Sequence, residues 1–293
     1  MLEENLLVVF SVITSGLLVG TIFSVVAAGL SLIHGTILLP QAANGQVFLA
    51  AGLLFWLFGT EWEWPLWLAV PTTFLIIGFL AFACEATILK RFYPLEDRNI
   101  SYLIITLGIA QILSGIYTGT FGRISDTFQV TAPVNGFAII EPVPIAYTRL
   151  IAFVLAGSVL GGLVAFLRLH RIGRALRAVF QNREAARLRG IDTLKIYRFA
   201  FLLGTAITTA GGILFALAFA LDLTVGWTIS LITFSIMIVG GPGSVVGALV
   251  VGLVFGFTQA IVSVFADPTV ATFAYLLAML AMLFIRPSGL FAK

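Results

Sequence analysis

The sequence predicts an all-α protein, a single transmembrane domain over residues 1–293 built as a polytopic helical bundle with about eight or nine membrane segments. Hydrophobic residues make up 60% of the 293 residues and charged residues only 10%, a composition that a soluble domain of this length does not need. Apolar runs of roughly 20 residues, enough for a helix to cross a bilayer, recur along the chain. The two-residue alternation of a transmembrane β-strand is absent.

Seven apolar runs are interpreted as membrane spans. In chain order they cover residues 6–32, 66–89, 100–121, 150–167, 199–220, 245–265 and 270–285. Gly16 and Gly20 in the first run, like Gly252 and Gly256 in the sixth, have the spacing that lets two helices approach closely. The first residues lack the positive charge and cleavage site of a signal peptide, so we expect no cleaved leader.

Two further apolar runs are too short to span comfortably, and each adjoins residues that interrupt a helix. Residues 34–58 are predicted to form a broken or re-entrant helix because the run 47–58 follows Pro40, Gln41, Asn44, Gly45 and Gln46. The run 228–239 ends at the Gly-Gly-Pro-Gly-Ser of residues 240–244. One interrupted helix in each half indicates a solute path in transport proteins. Kinks that only improve helix packing remain the alternative.

The charges predict an orientation. If nine segments alternate across the membrane, fourteen of the sixteen lysine and arginine residues lie on one side, and only Arg123 and Arg149 lie on the other. Basic residues favour the cytoplasmic side. The N-terminus and residues 122–149 are therefore predicted outside, and residues 90–98, 168–198 and the C-terminus inside.

Residues 168–198, the basic segment, carry nine of the sixteen basic residues. In its first part, Arg171, Arg174 and Arg177 lie roughly opposite an apolar helical face made of Ile172, Leu176, Val179 and Phe180. Asn182 is a good N-cap, Glu184 follows in the first turn and Gly190 is a natural stop. The pattern predicts two short helices joined near Gln181 along the membrane surface. A loop that only sets topology is the simpler alternative, but such a loop needs no caps.

Several kinds of chemistry are not indicated. The chain has no G-x-x-x-x-G-K-[ST] phosphate-binding motif. Its two histidines, His34 and His170, are far apart, and Cys84 is the single cysteine, so no metal-binding spacing exists. Nothing resembles the G-x-S-x-G nucleophile motif. The net charge of +3 resides in loops of a membrane protein and does not indicate nucleic acid binding.

Neutral residues are the candidates for lining a solute path: Ser31, Gln41, Asn44, Gly45, Gln46, Thr106 and Gln111. Amides and hydroxyls suit a small polar solute that is passed along, whereas a proton-driven pump usually needs several buried carboxylates. Glu85 is the one acidic residue well inside an apolar run. We expect it to pair with Lys90 or Arg91 near the inner interface, with a proton relay as the alternative.

The sequence Glu184-Ala-Ala-Arg-Leu-Arg-Gly190 resembles the E-A-A-x-x-x-G loop of ABC importer permeases, which inserts into a groove on the ATPase subunit. More specifically, the chain resembles the branched-chain amino acid (LivH-type) permease family. The resemblance runs in the same order over nearly the whole chain, at Tyr93–Leu95, Thr106–Gly108, Gly173–Ile191, Gly240–Ala248 and Arg286–Phe291.

The resemblance implies a non-catalytic transmembrane subunit of an ABC importer in the inner membrane of a bacterium, with a periplasmic N-terminus and a cytoplasmic C-terminus. Its implied partners are a second, LivM-like permease, two cytoplasmic ATPases that bind ATP and Mg²⁺, a periplasmic solute-binding protein and membrane lipid. The implied ATPase-coupling residues are Gly173, Arg174, Arg177, Glu184, Ala185, Ala186, Arg187 and Gly190.

One motif departs from the family. Members usually carry an N-F-A-H-G-E-like run in the first broken helix, where this chain has Gln41-Ala-Ala-Asn-Gly-Gln46. The resemblance implies a branched-chain or other amino acid as the solute, and this departure leaves urea, a short amide and an aromatic or other small carboxylate as alternatives. A stand-alone ion-coupled carrier and an intramembrane enzyme are the alternatives of a different class.

Overall fold

A computed structural model describes residues 2–39, 41–92, 98–131, 136–140, 143–286 and 288–291. Within them it contains eleven α-helices and one two-stranded sheet. Six of the helices described are long and apolar enough to cross a membrane, and two shorter ones are also apolar. The predicted helical membrane fold is confirmed, and the count is compatible with eight or nine segments.

The helices follow the predicted runs closely. The first half contains α1 (Leu2–Ile37), α2 (Asn44–Trp56), α3 (Leu66–Thr87) and α4 (Arg98–Thr120). A π-helical turn (Leu57–Glu61) extends α2, and a 3-10 turn (Leu89–Phe92) follows α3. The second half contains α5 (Tyr147–Leu169), α6 (Arg171–Gln181), α7 (Arg183–Leu188), α8 (Thr193–Ala218), α9 (Val225–Gly240), α10 (Val245–Phe265) and α11 (Pro268–Ile285).

An antiparallel hairpin was not predicted. Its strands, β1 (Phe137–Ile140) and β2 (Val143–Ala146), lie in the connection before α5 and pair with Phe137 opposite Ala146. The predicted match at residues 93–95 lies outside the described residues, as does Pro40.

Helix α1 occupies the centre of the bundle. In its most apolar stretch 89% of the residues are buried, against 17% in α3 and 22% in α4. The predicted glycine spacing explains how closely α1 meets α10. A Cβ added at Gly16 would lie 2.7 Å from the Phe257 ring, and one added at Gly20 would lie 2.9 Å from the Leu253 Cα. Only a residue without a side chain lets the two backbones come this near.

The first predicted interruption is confirmed, but α1 continues to Ile37 rather than ending at residue 32. The polar residues that suggested an earlier end remain helical, and the Thr36 hydroxyl donates back to the Leu32 carbonyl at 2.9 Å. Leu38 then has a φ of 57°, a left-handed conformation that ends the helix and is strained for a bulky side chain. We call residues 38–43 the first break.

The second interruption is a turn between α9 and α10 rather than a kink. Gly241 and Gly243 have φ values of 97° and 82°, which glycine adopts without steric cost. The Ser244 hydroxyl accepts a hydrogen bond from the Gly247 N–H at 2.9 Å and so caps α10. We call residues 241–244 the second break.

The connections gather at two ends of the bundle. At one end, which we call the inner end because the charges predict that it is cytoplasmic, the tail covers the last turn of α9. There the Leu290 N–H donates to the Val239 carbonyl at 2.9 Å and the Phe291 N–H donates to the Gly240 carbonyl at 3.2 Å. Helices α6 and α7 lie at this end. At the outer end, a backbone bridge joins Phe128 to Leu221.

Candidate functional site

The first part of the candidate site is the basic segment, which forms the two predicted short helices. The predicted cap is present, since the Asn182 Oδ1 accepts from the Ala185 N–H at 2.9 Å and starts α7. His170, which the sequence did not suggest as a cap, starts α6 by accepting from the Ile172 N–H at 3.2 Å. Asp192 starts α8 in the same way, and the hydrogen bond from the Lys195 amide lowers the pKa of the Asp192 carboxyl.

Gly190 ends α7 as predicted. The Ile191 N–H donates to the Ala186 carbonyl at 3.1 Å and the Gly190 N–H donates to Arg187 at 2.9 Å, which is the Schellman pattern of a helix C-terminus. The pattern requires a left-handed residue, and Gly190 has a φ of 80°. Helix α7 is thus fixed at both ends although it has only six residues.

The two helices present polar and apolar residues to opposite sides. Gly173, Leu176 and Val179 of α6 are buried, whereas Arg171, Arg174 and Arg177 are exposed. In α7, Ala186 is buried and Glu184, Ala185 and Arg187 are exposed. Leu188 was not singled out from the sequence, yet it is 89% exposed on this polar surface.

Two of the predicted coupling arginines also hold the segment together. The Arg187 Nε donates to the Thr193 hydroxyl at 3.0 Å, which ties α7 to the start of α8. The Arg177 guanidinium donates to the Arg168 carbonyl at 3.4 Å. These arginines therefore shape the basic segment as well as charging it.

The second part of the candidate site is the start of α2, where other helices supply the hydrogen bonds. The Gly45 N–H donates to the Ser230 hydroxyl of α9 at 3.1 Å, and the Ala42 N–H donates to the Thr106 hydroxyl of α4 at 3.2 Å. The Thr208 hydroxyl of α8 donates to the Asn44 Oδ1 at 2.8 Å. Non-helical backbone at membrane depth needs such partners.

The structure brings most of the predicted path residues together here. Gln41, Asn44, Gln46 and Thr106 are buried around the start of α2, and Gly45 touches α9. Ser31 is buried on α1. Gln111 is exposed on α4 and does not join the group. It lies at the helix position after buried Ala110, and periodicity alone did not show which of the two faces inward.

Three residues of this region were missed: Thr208, Ser230 and Tyr117, whose hydroxyl donates to the Gln46 carbonyl at 3.1 Å. No sequence signal could find them. Thr209 directly follows Thr208, and Thr233 lies three residues after Ser230 in the same helix, yet the hydroxyls of Thr209 and Thr233 bond back to their own helices. A single hydroxyl in an apolar helix bonds either to its own backbone or to a neighbouring helix.

Several buried polar atoms at this site have no hydrogen-bond partner among the residues described. They are the Gln41 Oε1, the Asn44 Nδ2, both amide atoms of Gln46, the Ser31 Oγ and the Thr205 Oγ1. A buried polar group without a partner costs on the order of 1–3 kcal/mol, so folded proteins keep few of them. Because several such atoms lie together here, this region offers hydrogen bonds to a polar solute.

A cavity of about 380 Å³ opens beside this region, between α2, α3, α4 and α8. The side chains of Gln41, Thr106, Thr205 and Tyr117 lie in its wall, but the surface that faces the cavity is almost entirely apolar. No lysine, arginine, aspartate or glutamate lines it in the part of the chain that the structure describes. An apolar pocket of this size fits a small molecule with an aliphatic part.

Glu85 is paired, but not with the residues expected. It is 1% exposed, and its Oε2 accepts from the Arg198 Nε at 2.7 Å. The prediction of Lys90 or Arg91 was therefore wrong, because α3 turns its glutamate towards α8 rather than along its own helix. The ion pair accounts for the carboxylate without a proton relay.

Fold and site together define a multi-pass membrane subunit. It has a helix break with buried polar residues, a solute-sized cavity beside that break and a capped basic segment at one end. Residues 12–285 match the family described as branched-chain amino acid transport system permease component. The chain belongs to this family, and it is a permease subunit of an ABC importer.

The relatives extend over the whole chain. The high-affinity branched-chain amino acid transport system permease protein BraD of Pseudomonas aeruginosa is 25% identical over 96% of this chain and 95% of its own length. The probable branched-chain amino acid transport permease protein LivH of Methanocaldococcus jannaschii is 28% identical over 99% and 93%. Among solved structures, PsaBC from Streptococcus pneumoniae in complex with Fab has a similar fold, with a TM-score of 0.50 and 12% identity over 94% of this chain and 91% of that one.

Proposed function

We propose that this chain moves a small neutral or zwitterionic solute with an aliphatic body, most simply a branched-chain amino acid, across the bacterial inner membrane. The observation that carries this proposal is the cavity, whose surface is almost entirely apolar and which lies beside the buried, unpartnered Gln41 Oε1 and Thr205 Oγ1. The apolar surface matches an aliphatic side chain, and the neighbouring polar groups match its polar head. The names of the relatives support the same solute class.

The driving force comes from outside the chain in this proposal. Two cytoplasmic ATPases, which bind ATP and Mg²⁺, dock on α6 and α7, a periplasmic binding protein delivers the solute, and a second permease completes the path. The docking residues are Gly173, Arg174, Arg177, Glu184, Ala185, Ala186, Arg187 and Gly190. The bonds that fix both ends of α7 support docking, because a loop that only sets topology needs charge but no caps.

A short amide or urea is the second candidate solute. The unpartnered amides of Gln41, Asn44 and Gln46 offer both donors and acceptors, which pair well with another amide. The apolar wall gives such a solute less to contact than it gives an aliphatic side chain.

Uptake by the assembled importer tests the function. The complex of this permease with its co-purified subunits is reconstituted in proteoliposomes, and ATP-dependent uptake of leucine, urea and acetamide is compared. We expect leucine uptake that needs ATP and persists when ion gradients are dissipated. Uptake that collapses with an ion gradient would instead indicate a stand-alone carrier.

Glu184→Lys should abolish uptake and solute-dependent ATP hydrolysis while leaving membrane insertion intact, because it reverses the charge on the exposed face of α7. Lys195→Glu is the matched control. It reverses a charge on the same inner surface, outside residues 173–190, where its ion pair with Asp192 is exposed and contributes little. If Glu184→Lys retains as much uptake and solute-dependent ATP hydrolysis as Lys195→Glu does, the docking assignment is wrong.

A further inference from the structure

Three separate parts of the chain meet at one point of the inner end. They are the last turn of α1, just before the first break, the second break between α9 and α10, and the junction of α6 with α7. Gly35 and Gly243 touch through their backbones, since a Cβ added at Gly243 would lie 3.0 Å from the Gly35 Cα. Both glycines are needed for this approach.

The Phe180 ring packs on this contact from the side of α6. A Cβ on Gly35 would lie 3.3 Å from the Phe180 ring, and one on Gly243 would fall against the ring's Cε2 and lie 2.7 Å from its Cζ. The ring is 41% exposed, so burial in a core does not explain why it is aromatic. One edge of the ring therefore contacts both the last turn of α1, just before the first break, and the second break.

Arg183, the first residue of α7, reaches the first break by a second route. Its Nη2 donates to the Ile37 carbonyl at 3.1 Å, one of the four carbonyls that a helix end leaves without internal partners. A guanidinium there also meets the negative end of the α1 dipole. Ile37 immediately precedes Leu38, whose left-handed conformation ends α1. Gln41 lies three residues after Leu38.

The same guanidinium lies over the Tyr197 ring of α8 at 5.6 Å. Arg183 is therefore held by α8 on one side and holds α1 on the other. Tightly packed groups move together rather than compress, so a displacement of α6 and α7 cannot leave these neighbours where they are.

We propose that Phe180 and Arg183 are the positioning residues that carry movement of α6 and α7 to both breaks. Phe180 bears on Gly35 and Gly243 at once, and Arg183 pulls on the final carbonyl of α1 and thereby moves the strained Leu38 turn that precedes Gln41. The proposal rests on the proposed function, since it takes α6 and α7 to be where the ATPases act. Neither residue needs to touch solute or ATPase.

The test uses the whole importer in proteoliposomes and measures solute taken up per ATP hydrolysed. Phe180→Ala and Arg183→Gln are expected to keep the ATPase subunits bound and to hydrolyse ATP within about twofold of the natural protein, while uptake per ATP falls about tenfold or more. Arg183→Lys should recover part of the loss, because one ammonium N–H still reaches the carbonyl. Phe284→Ala, which truncates an 82% exposed phenylalanine on α11, is the matched control.

A second readout distinguishes the loss of movement carried from α6 and α7 to the breaks from general damage to the fold. Hydrogen exchange at residues 41–46 should change when the natural complex binds ATP and should not change in Phe180→Ala. Unaltered uptake per ATP in Phe180→Ala, or loss of the ATPase subunits from it, would overturn the inference while the proposed function stands. Absence of ATP-dependent uptake in the natural complex would overturn both.

Discussion

At Gly45 the start of α2 presses against α9 so closely that no side chain fits between them. The Gly45 N–H donates to the Ser230 hydroxyl, and an added Cβ would fall on the Gly226 carbonyl oxygen and 2.6 Å from the Ser230 nitrogen. Backbone lies on the opposing side, so the clash cannot be relieved by rotating a side chain. The contact holds the polar start of α2 against α9, beside the bonds that Thr106 and Thr208 make there.

Gly45→Ala should therefore destabilise the protein and impair uptake together. Overpacking of a tight contact costs about 1–3 kcal/mol, so we expect a lower melting temperature in detergent, measured by differential scanning fluorimetry. Gly78→Ala on α3 is the control, because its Cβ meets nothing within 4 Å and alanine favours a helix over glycine. Equal melting temperatures for the two variants would show that the contact is not tight.

Single residues also show where sequence reasoning stops. Glu85 was correctly expected to have a charged partner, because a lone carboxylate in an apolar helix is too costly. The identity of that partner depends on how α3 and α8 pack, and Arg198 is 113 residues away in the chain. Thr208 and Ser230 were missed for the same reason, since only tertiary contact distinguishes them from hydroxyls that bond to their own helix.

At the scale of elements, the sequence predicted type and order well and boundaries less well. Both breaks were found because proline, glycine and amides do not suit a helix facing lipid. The end of α1 was misplaced because Thr36 satisfies its hydroxyl within the helix, which permits a polar residue inside it. The hairpin of β1 and β2 was missed in a region whose polar residues and prolines indicated only a loop.

The shortness of α7 makes its stability depend on its cap. A helix of six residues is marginal without tertiary support, and Asn182 supplies the bond to Ala185. Asn182→Ala should cost about 1 kcal/mol locally and raise hydrogen exchange at residues 185–188 about fivefold. The effect should be confined to α7.

Asp192→Ala provides the comparison, because it removes the same type of cap from α8. Helix α8 has 26 residues and is largely buried, so its amides beyond the first turn should stay protected. Unchanged protection of α7 in Asn182→Ala would show that packing, rather than the cap, holds α7.

For the whole molecule, the distribution of charge and the fold agree on two distinct ends. The end of α1, α6 with α7, the second break and the tail meet at the inner end through Arg183, Phe180 and Leu290. The charge count alone had grouped these connections on one side of the membrane. It could not show that they touch, because alternation assigns a side and says nothing about neighbours.

Orientation is therefore the prediction made at this scale, and cysteine labelling tests it. In a Cys84→Ser background, Leu188→Cys at the inner end and Asp126→Cys at the outer end both place a thiol at an exposed position. A maleimide that cannot cross membranes should label Asp126→Cys in right-side-out vesicles and Leu188→Cys in inverted ones. The physical reason is the excess of arginine around Leu188, which favours the cytoplasmic side. The opposite labelling would place α6 and α7 in the periplasm, where no ATPase could act on them.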